Sequence, residues 1–100
     1  MDPLLRITRT DEGIRLEGEL DLNGAAEFRE ALAEAARRDA LMIDASGLTF
    51  MDSTGLTVLM DVAASRNGGP PVVLDRPTRA IRRLLEIGLP GGVHGLEMRE

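Results

Sequence analysis

The chain encodes an α/β fold: a mixed β-sheet opened by a hairpin, with helices in parallel crossover units. Three signs carry that reading. Apolar and polar residues alternate in two adjacent stretches near the start, which is the period of half-buried strands. Three later segments carry apolar residues at helical spacing, and short apolar runs separate them, so helices and strands take turns along the chain. One hundred residues is the size of one compact unit, so residues 1–100 are expected to form a single domain around one core.

The first strand lies within residues 4–9, where Leu5 and Ile7 alternate with polar residues. After the turn Asp11-Glu12-Gly13 the alternation resumes through Ile14, Leu16 and Leu20. Between Asn23 and Arg38 the residues Ala25, Phe28, Leu32 and Ala35 recur at helical spacing. Glu34 is four residues from Arg38, and Arg37 and Arg38 suit the negative end of the helix dipole. Ala40 to Asp44 is a short apolar run, read as a central strand buried on both faces, and Ser46-Gly47 reads as a break after it.

Leu48 to Met51 then lead into Asp52, Ser53 and Thr54, three consecutive residues suited to capping a helix. The helix is expected from about Gly55 to Arg66. Its residues Leu56, Val58, Leu59, Met60, Val62 and Ala63 cover most of its circumference, so it should be more enclosed than the first. Gly68-Gly69-Pro70-Pro71 stops it, and Val72 to Leu74 reads as another buried strand. Pro77 is placed in the first turn of a third helix with Ile81, Leu84 and Leu85 inward and Arg79, Arg82 and Arg83 on a solvated face. Gly88 is the expected C-terminal cap. Val93, Leu96 and Met98 fit one last short strand.

Composition excludes several functions. There is no cysteine, so disulfides, thiolate catalysis and cysteine-based zinc sites are ruled out. A formal net charge of −5 opposes general nucleic-acid binding, which rests on cations displacing counterions from phosphates. Two aromatic residues leave little for base stacking. The stretch from Met1 to Arg6 lacks the basic and apolar segments of a secretory signal, and no run approaches a membrane span, so no membrane insertion and a cytoplasmic location are expected. One histidine and scattered carboxylates imply neither a metal nor a cofactor.

The step Asp52-Ser53-Thr54-Gly55 is the candidate site. A hydroxyl at a helix start lies beside backbone N–H groups without intrahelical partners, and the dipole favours an anion there. A phosphate on Ser53 would be expected to gain hydrogen bonds from those amides. Spacing alone is equally satisfied by three capping residues with no further role.

The longer string Phe50-Met51-Asp52-Ser53-Thr54-Gly55-Leu56 closely resembles the signature of STAS domains, and specifically of bacterial anti-sigma factor antagonists. The resemblance extends through Leu16 to Asp21, Ile43 to Leu48 and Arg82 to Leu89, and so covers most of the chain. It implies a STAS-like fold and no catalytic residue of the chain's own. By the same resemblance Ser53 is the phosphoacceptor, and Asp21, Asp52, Ser53, Thr54 and Gly55 form the partner-facing site, with Asp52 equally accounted for as a cap. The implied partners are an anti-sigma factor with an ATP-binding serine kinase fold, which releases its sigma factor on binding the unphosphorylated antagonist, and a phosphatase acting on the phosphoserine. Thr54 is a second hydroxyl in the same turn. Thr57 departs from the small residue frequent at its place in the family, Asn23-Gly24 is an unusual lead into the first helix, and many relatives carry a further C-terminal helix.

Two other functions compete. A serine hydrolase would use Ser53 as nucleophile and His94 as base, although no Gly-x-Ser-x-Gly elbow is present. A STAS accessory subunit of a membrane transport complex would keep the fold and bind its partner without phosphorylation.

Overall fold

A computed structural model describes residues 4–66 and 68–100. Met1 to Pro3, part of the stretch read above for a secretory signal, lie outside the described residues, as does Asn67. The expected hairpin is formed by β1 (Leu5–Thr10) and β2 (Gly13–Leu20), antiparallel, with Thr10 opposite Gly13. Helix α1 (Leu22–Arg37) leads to β3 (Met42–Met51), α2 (Ser53–Ala64) to β4 (Val72–Asp75), and α3 (Arg79–Gly88) to β5 (Leu96–Arg99). The strands form one mixed sheet in the order β1-β2-β3-β4-β5, parallel from β2 onward.

Each crossover steps to the next strand in the same direction. Because such connections are right-handed, the three helices fall on one face of the sheet. A single apolar cluster records this. It joins Ile14, Leu16 and Leu20 of β2, Ile43, Ala45 and Leu48 of β3, and Val72 and Leu74 of β4 to residues from all three helices.

The one-sided cover corrects the expectation that β3 and β4 are buried on both faces. Met42, Asp44 and Val73 are only half-buried and Ser46 is exposed, because no helix covers the opposite face. That face carries Arg15, whose Nε donates to Asp44 at 3.2 Å, and Arg76, whose guanidinium donates to the same carboxylate at 2.9 Å. Burial works to raise the Asp44 pKa. Hydrogen bonds from the Ser46 hydroxyl and N–H and from Arg15, with the nearby Arg76 charge, outweigh it and hold the carboxyl below its usual value.

Other corrections are local. Ser46-Gly47 does not break β3. The strand continues through it, and the parallel pairing with β2 shifts register nearby. Gly47 fits there because a Cβ would stand 2.9 Å from Glu17 Cγ. Helix α2 starts two residues before Gly55 and, as expected, is more enclosed than α1, with Gly55, Val58, Leu59 and Ala63 buried within twelve residues, although Met60 is exposed. Pro77 lies just outside α3. Thr78 is the N-cap, and its hydroxyl donates to the Leu48 carbonyl at 3.1 Å, tying the helix start to β3. Leu89, not Gly88, is the C-cap, and Gly88 sits where a Cβ would meet Leu56 Cδ2 at 2.8 Å. The Glu34 and Arg38 pair forms as expected, at 2.9 Å, and Arg38 also donates to the Thr10 and Gly13 carbonyls, anchoring the end of α1 to the hairpin turn.

Candidate functional site

Strands β2 and β3 end side by side, with Leu20 paired to Met51 and the Asp52 N–H donating to the Leu20 carbonyl at 3.1 Å. One residue further on, each chain segment turns into a helix through an aspartate. Asp21 caps α1, its Oδ1 accepting from the Asn23 N–H at 3.0 Å. Asp52 caps α2, its Oδ1 accepting from the Thr54 N–H at 2.9 Å and the Gly55 N–H at 3.4 Å, and from the Thr54 hydroxyl. The Thr54 hydroxyl is the largest influence holding the Asp52 carboxyl below its usual pKa. Desolvation opposes it, and the N–H groups of Thr54, Gly55 and Leu22 add to it. Since Leu22 is the first residue of α1, the Asp52 carboxylate that caps α2 also lies near the start of α1.

The two starts share a pattern that residue-by-residue reading passed over. Asp21-Leu22-Asn23-Gly24 and Asp52-Ser53-Thr54-Gly55 both read Asp-x-x-Gly, and the spacing is visible in the sequence. Both glycines are buried in the first turn. A Cβ on Gly55 would stand 2.7 Å from Met51 Cγ and 2.8 Å from Leu20 Cδ2, and one on Gly24 would stand 2.8 Å from Leu5 Cδ2. Gly24 therefore accounts for the unusual lead into α1, because it lets the first turn settle onto the hairpin. For Gly55 the structure corrects its placement in the partner-facing set: it is turned into the core and lets the helix start approach the sheet.

The remaining predicted residues come together. Asp21, Asp52 and Thr54 are half-buried and Ser53 is exposed, all at the end of the sheet where β2 and β3 finish. Ser53 occupies in α2 the position Leu22 occupies in α1, and Leu22 is 72% exposed. Between the two helices runs a shallow groove of about 430 Å³, walled by Leu22, Ala25, Ala26 and Arg29 on one side and by Ser53, Thr54, Thr57 and Val58 on the other. Leu22 and Arg29 were missed by sequence reading, which gave no pairing of one helix with the other. Thr57, the departure from the family pattern, is accommodated by donating its hydroxyl to the Ser53 carbonyl at 2.9 Å.

One physical expectation is corrected. The amides of Thr54 and Gly55 are already taken by Asp52, so a phosphate on Ser53 would compete with a carboxylate for them. The serine hydrolase pairing is also not assembled. Gly95, next to His94, packs against the Ala63 carbonyl, ten residues along α2 from Ser53, which is about 15 Å of helix. Among the described residues there is no group of three or more metal-ligating side chains, and no helix is long and apolar enough to cross a membrane.

The one-sided mixed sheet with paired helix starts at its end is the architecture of a STAS domain. The family model described as "Mlab, STAS domain" matches residues 4–92, and the chain belongs to that family. Among solved structures, the fold is similar to that of the anti-sigma factor antagonist SpoIIAA in its unphosphorylated form. The TM-score is 0.67 over 94% of this chain and 86% of that one, at 20% sequence identity. At that identity the likeness is one of fold.

Proposed function

We propose that this STAS domain is an anti-sigma factor antagonist of the cytoplasm, switched by phosphorylation of Ser53. Unphosphorylated, it binds an anti-sigma factor with an ATP-binding serine kinase fold, which then releases its sigma factor. The kinase transfers the γ-phosphoryl group of ATP to Ser53 Oγ, which gives up its proton and leaves ADP, and a phosphatase hydrolyses the phosphoserine to reset the switch. Asp21, Asp52 and Thr54 frame the contact surface.

The observation that carries this reading is the contrast between two neighbouring hydroxyls. Thr54 is half-buried and its hydroxyl is committed to Asp52, whereas Ser53 is exposed and its Oγ takes part in none of the described hydrogen bonds. A kinase would find one acceptor free and the other engaged. A phosphate adds roughly −1.5 to −2 charge, and here it would stand beside the ionised Asp52, which already holds the Thr54 and Gly55 amides. Like-charge repulsion and desolvation would then act against a partner shaped to a neutral hydroxyl.

Incubating the protein with candidate ATP-fold kinases and ATP, then mapping the product by mass spectrometry, tests the assignment. Phosphate on Ser53 that is absent from Ser53→Ala and retained in Thr54→Ala is the expected result. Phosphate elsewhere would overturn it. No phosphate with any kinase, together with tight binding to a transporter component, would favour the accessory-subunit function.

A further inference from the structure

We propose that Arg29 is the phosphate-binding residue for phosphorylated Ser53, and that it folds along the groove between α1 and α2 when the phosphate arrives. The inference rests on the phosphoswitch reading for its occasion and on the groove's own geometry for its argument. Arg29 is the one cation among the described residues walling that groove, and Ser53 lines its opposite wall. The two helices begin at paired strand ends and run side by side. Arg29 therefore stands seven residues, about 10 Å, further along than the level of Ser53. Helical side chains lean toward the N-terminus, so its stem leans toward that end.

The path between them is open. The residues that would crowd an extended arginine are Ala25 and Ala26 on α1 and Thr57 on α2, all small. Arg29 is at present bound to Asp61 of α2 at 3.1 Å, with the two side chains 50% and 55% exposed. Exposed pairs of this kind are weak. A dianionic phosphate with three acceptor oxygens is a stronger partner for a guanidinium than one carboxylate. The charges around the phosphate are otherwise acidic, with Asp21 and Asp52 at the helix starts and Asp61 further along, and Asp52 already holds the Thr54 and Gly55 amides. Moving Arg29 would lay its stem along Ala25 and Ala26. Phosphorylation would thus change the shape of this surface as well as its charge.

The test is a phosphorus NMR titration of protein carrying genetically encoded phosphoserine at position 53. The second phosphate pKa, ordinarily near 6, is expected to lie lower with Arg29 present than in Arg29→Gln by about half a pH unit. Arg29→Lys should keep part of that shift, and Asp61→Asn, which frees the arginine, should enlarge it. Identical titrations for the phosphorylated parent, Arg29→Gln and Asp61→Asn would overturn the proposal. The phosphoswitch would be untouched by that outcome, since it is tested by where the kinase places phosphate and by whether phosphorylation changes anti-sigma factor binding.

Discussion

Replacing Asp52 with alanine removes the cap of α2. The carboxylate receives the Thr54 and Gly55 amides and the Thr54 hydroxyl, and lies close enough to the Leu22 N–H of α1 to be stabilised by it. Loss of an aspartate N-cap costs about 1 kcal/mol, and loss of a negative charge at a helix N-terminus adds about 0.3–1 kcal/mol. Asp52→Ala should therefore destabilise the protein by about 1.5–2 kcal/mol, a fall in Tm on the order of 10 °C for a chain of this size. Asp52→Asn, which keeps an acceptor but not the charge, should lose only about 0.5 kcal/mol. Urea and thermal unfolding followed by circular dichroism would measure both.

The pH dependence carries a definite sign. The Asp52 carboxyl is held below its usual value in the folded protein, so its stabilising contribution is present above the unfolded pKa of about 3.9 and is lost as pH falls through the lower folded value. The advantage of the parent over Asp52→Asn should shrink in acid below about pH 4. An Asp52→Ala protein within about 0.5 kcal/mol of the parent at neutral pH, or a parent-to-asparagine gap unchanged in strong acid, would refute the capping argument.

Two further substitutions separate packing from recognition. Gly55→Ala places a methyl against the buried Met51 and Leu20 side chains and should cost about 1–3 kcal/mol in denaturant titrations. Gly24→Ala meets only the end of Leu5 and should cost less. Ser53→Ala should stay within about 0.5 kcal/mol of the parent in the same titrations, because its Oγ makes none of the described hydrogen bonds, so a binding change in this variant would not come from unfolding.

The order of elements was readable because each obeys a local period. Leu5, Ile7, Ile14 and Leu16 alternate, and Phe28, Leu32 and Ala35 share one helical stripe. What escaped local reading depends on residues distant in sequence. The runs around Met42 and Val73 look fit for burial on two faces, but strand order and crossover hand decide that one face stays open. Ser46-Gly47 looks like a strand end, yet parallel pairing to β2 carries the backbone through it with a shifted register. Three consecutive capping residues precede α2, and their sequence does not say which one caps. The hydrogen bond from the Asp52 N–H to Leu20 fixes Asp52 at the end of β3 and so leaves Ser53 as the first helical residue. The same step determines which hydroxyl is free.

The proposed switch is best measured by calorimetric titration of a candidate ATP-fold anti-sigma factor with this protein, once unphosphorylated and once carrying phosphate on Ser53. If charge repulsion and desolvation contribute about 3 kcal/mol against the phosphorylated form, its affinity falls by a little over a hundredfold. Equal affinity for the two forms would contradict the assignment of Ser53 as the residue that controls binding.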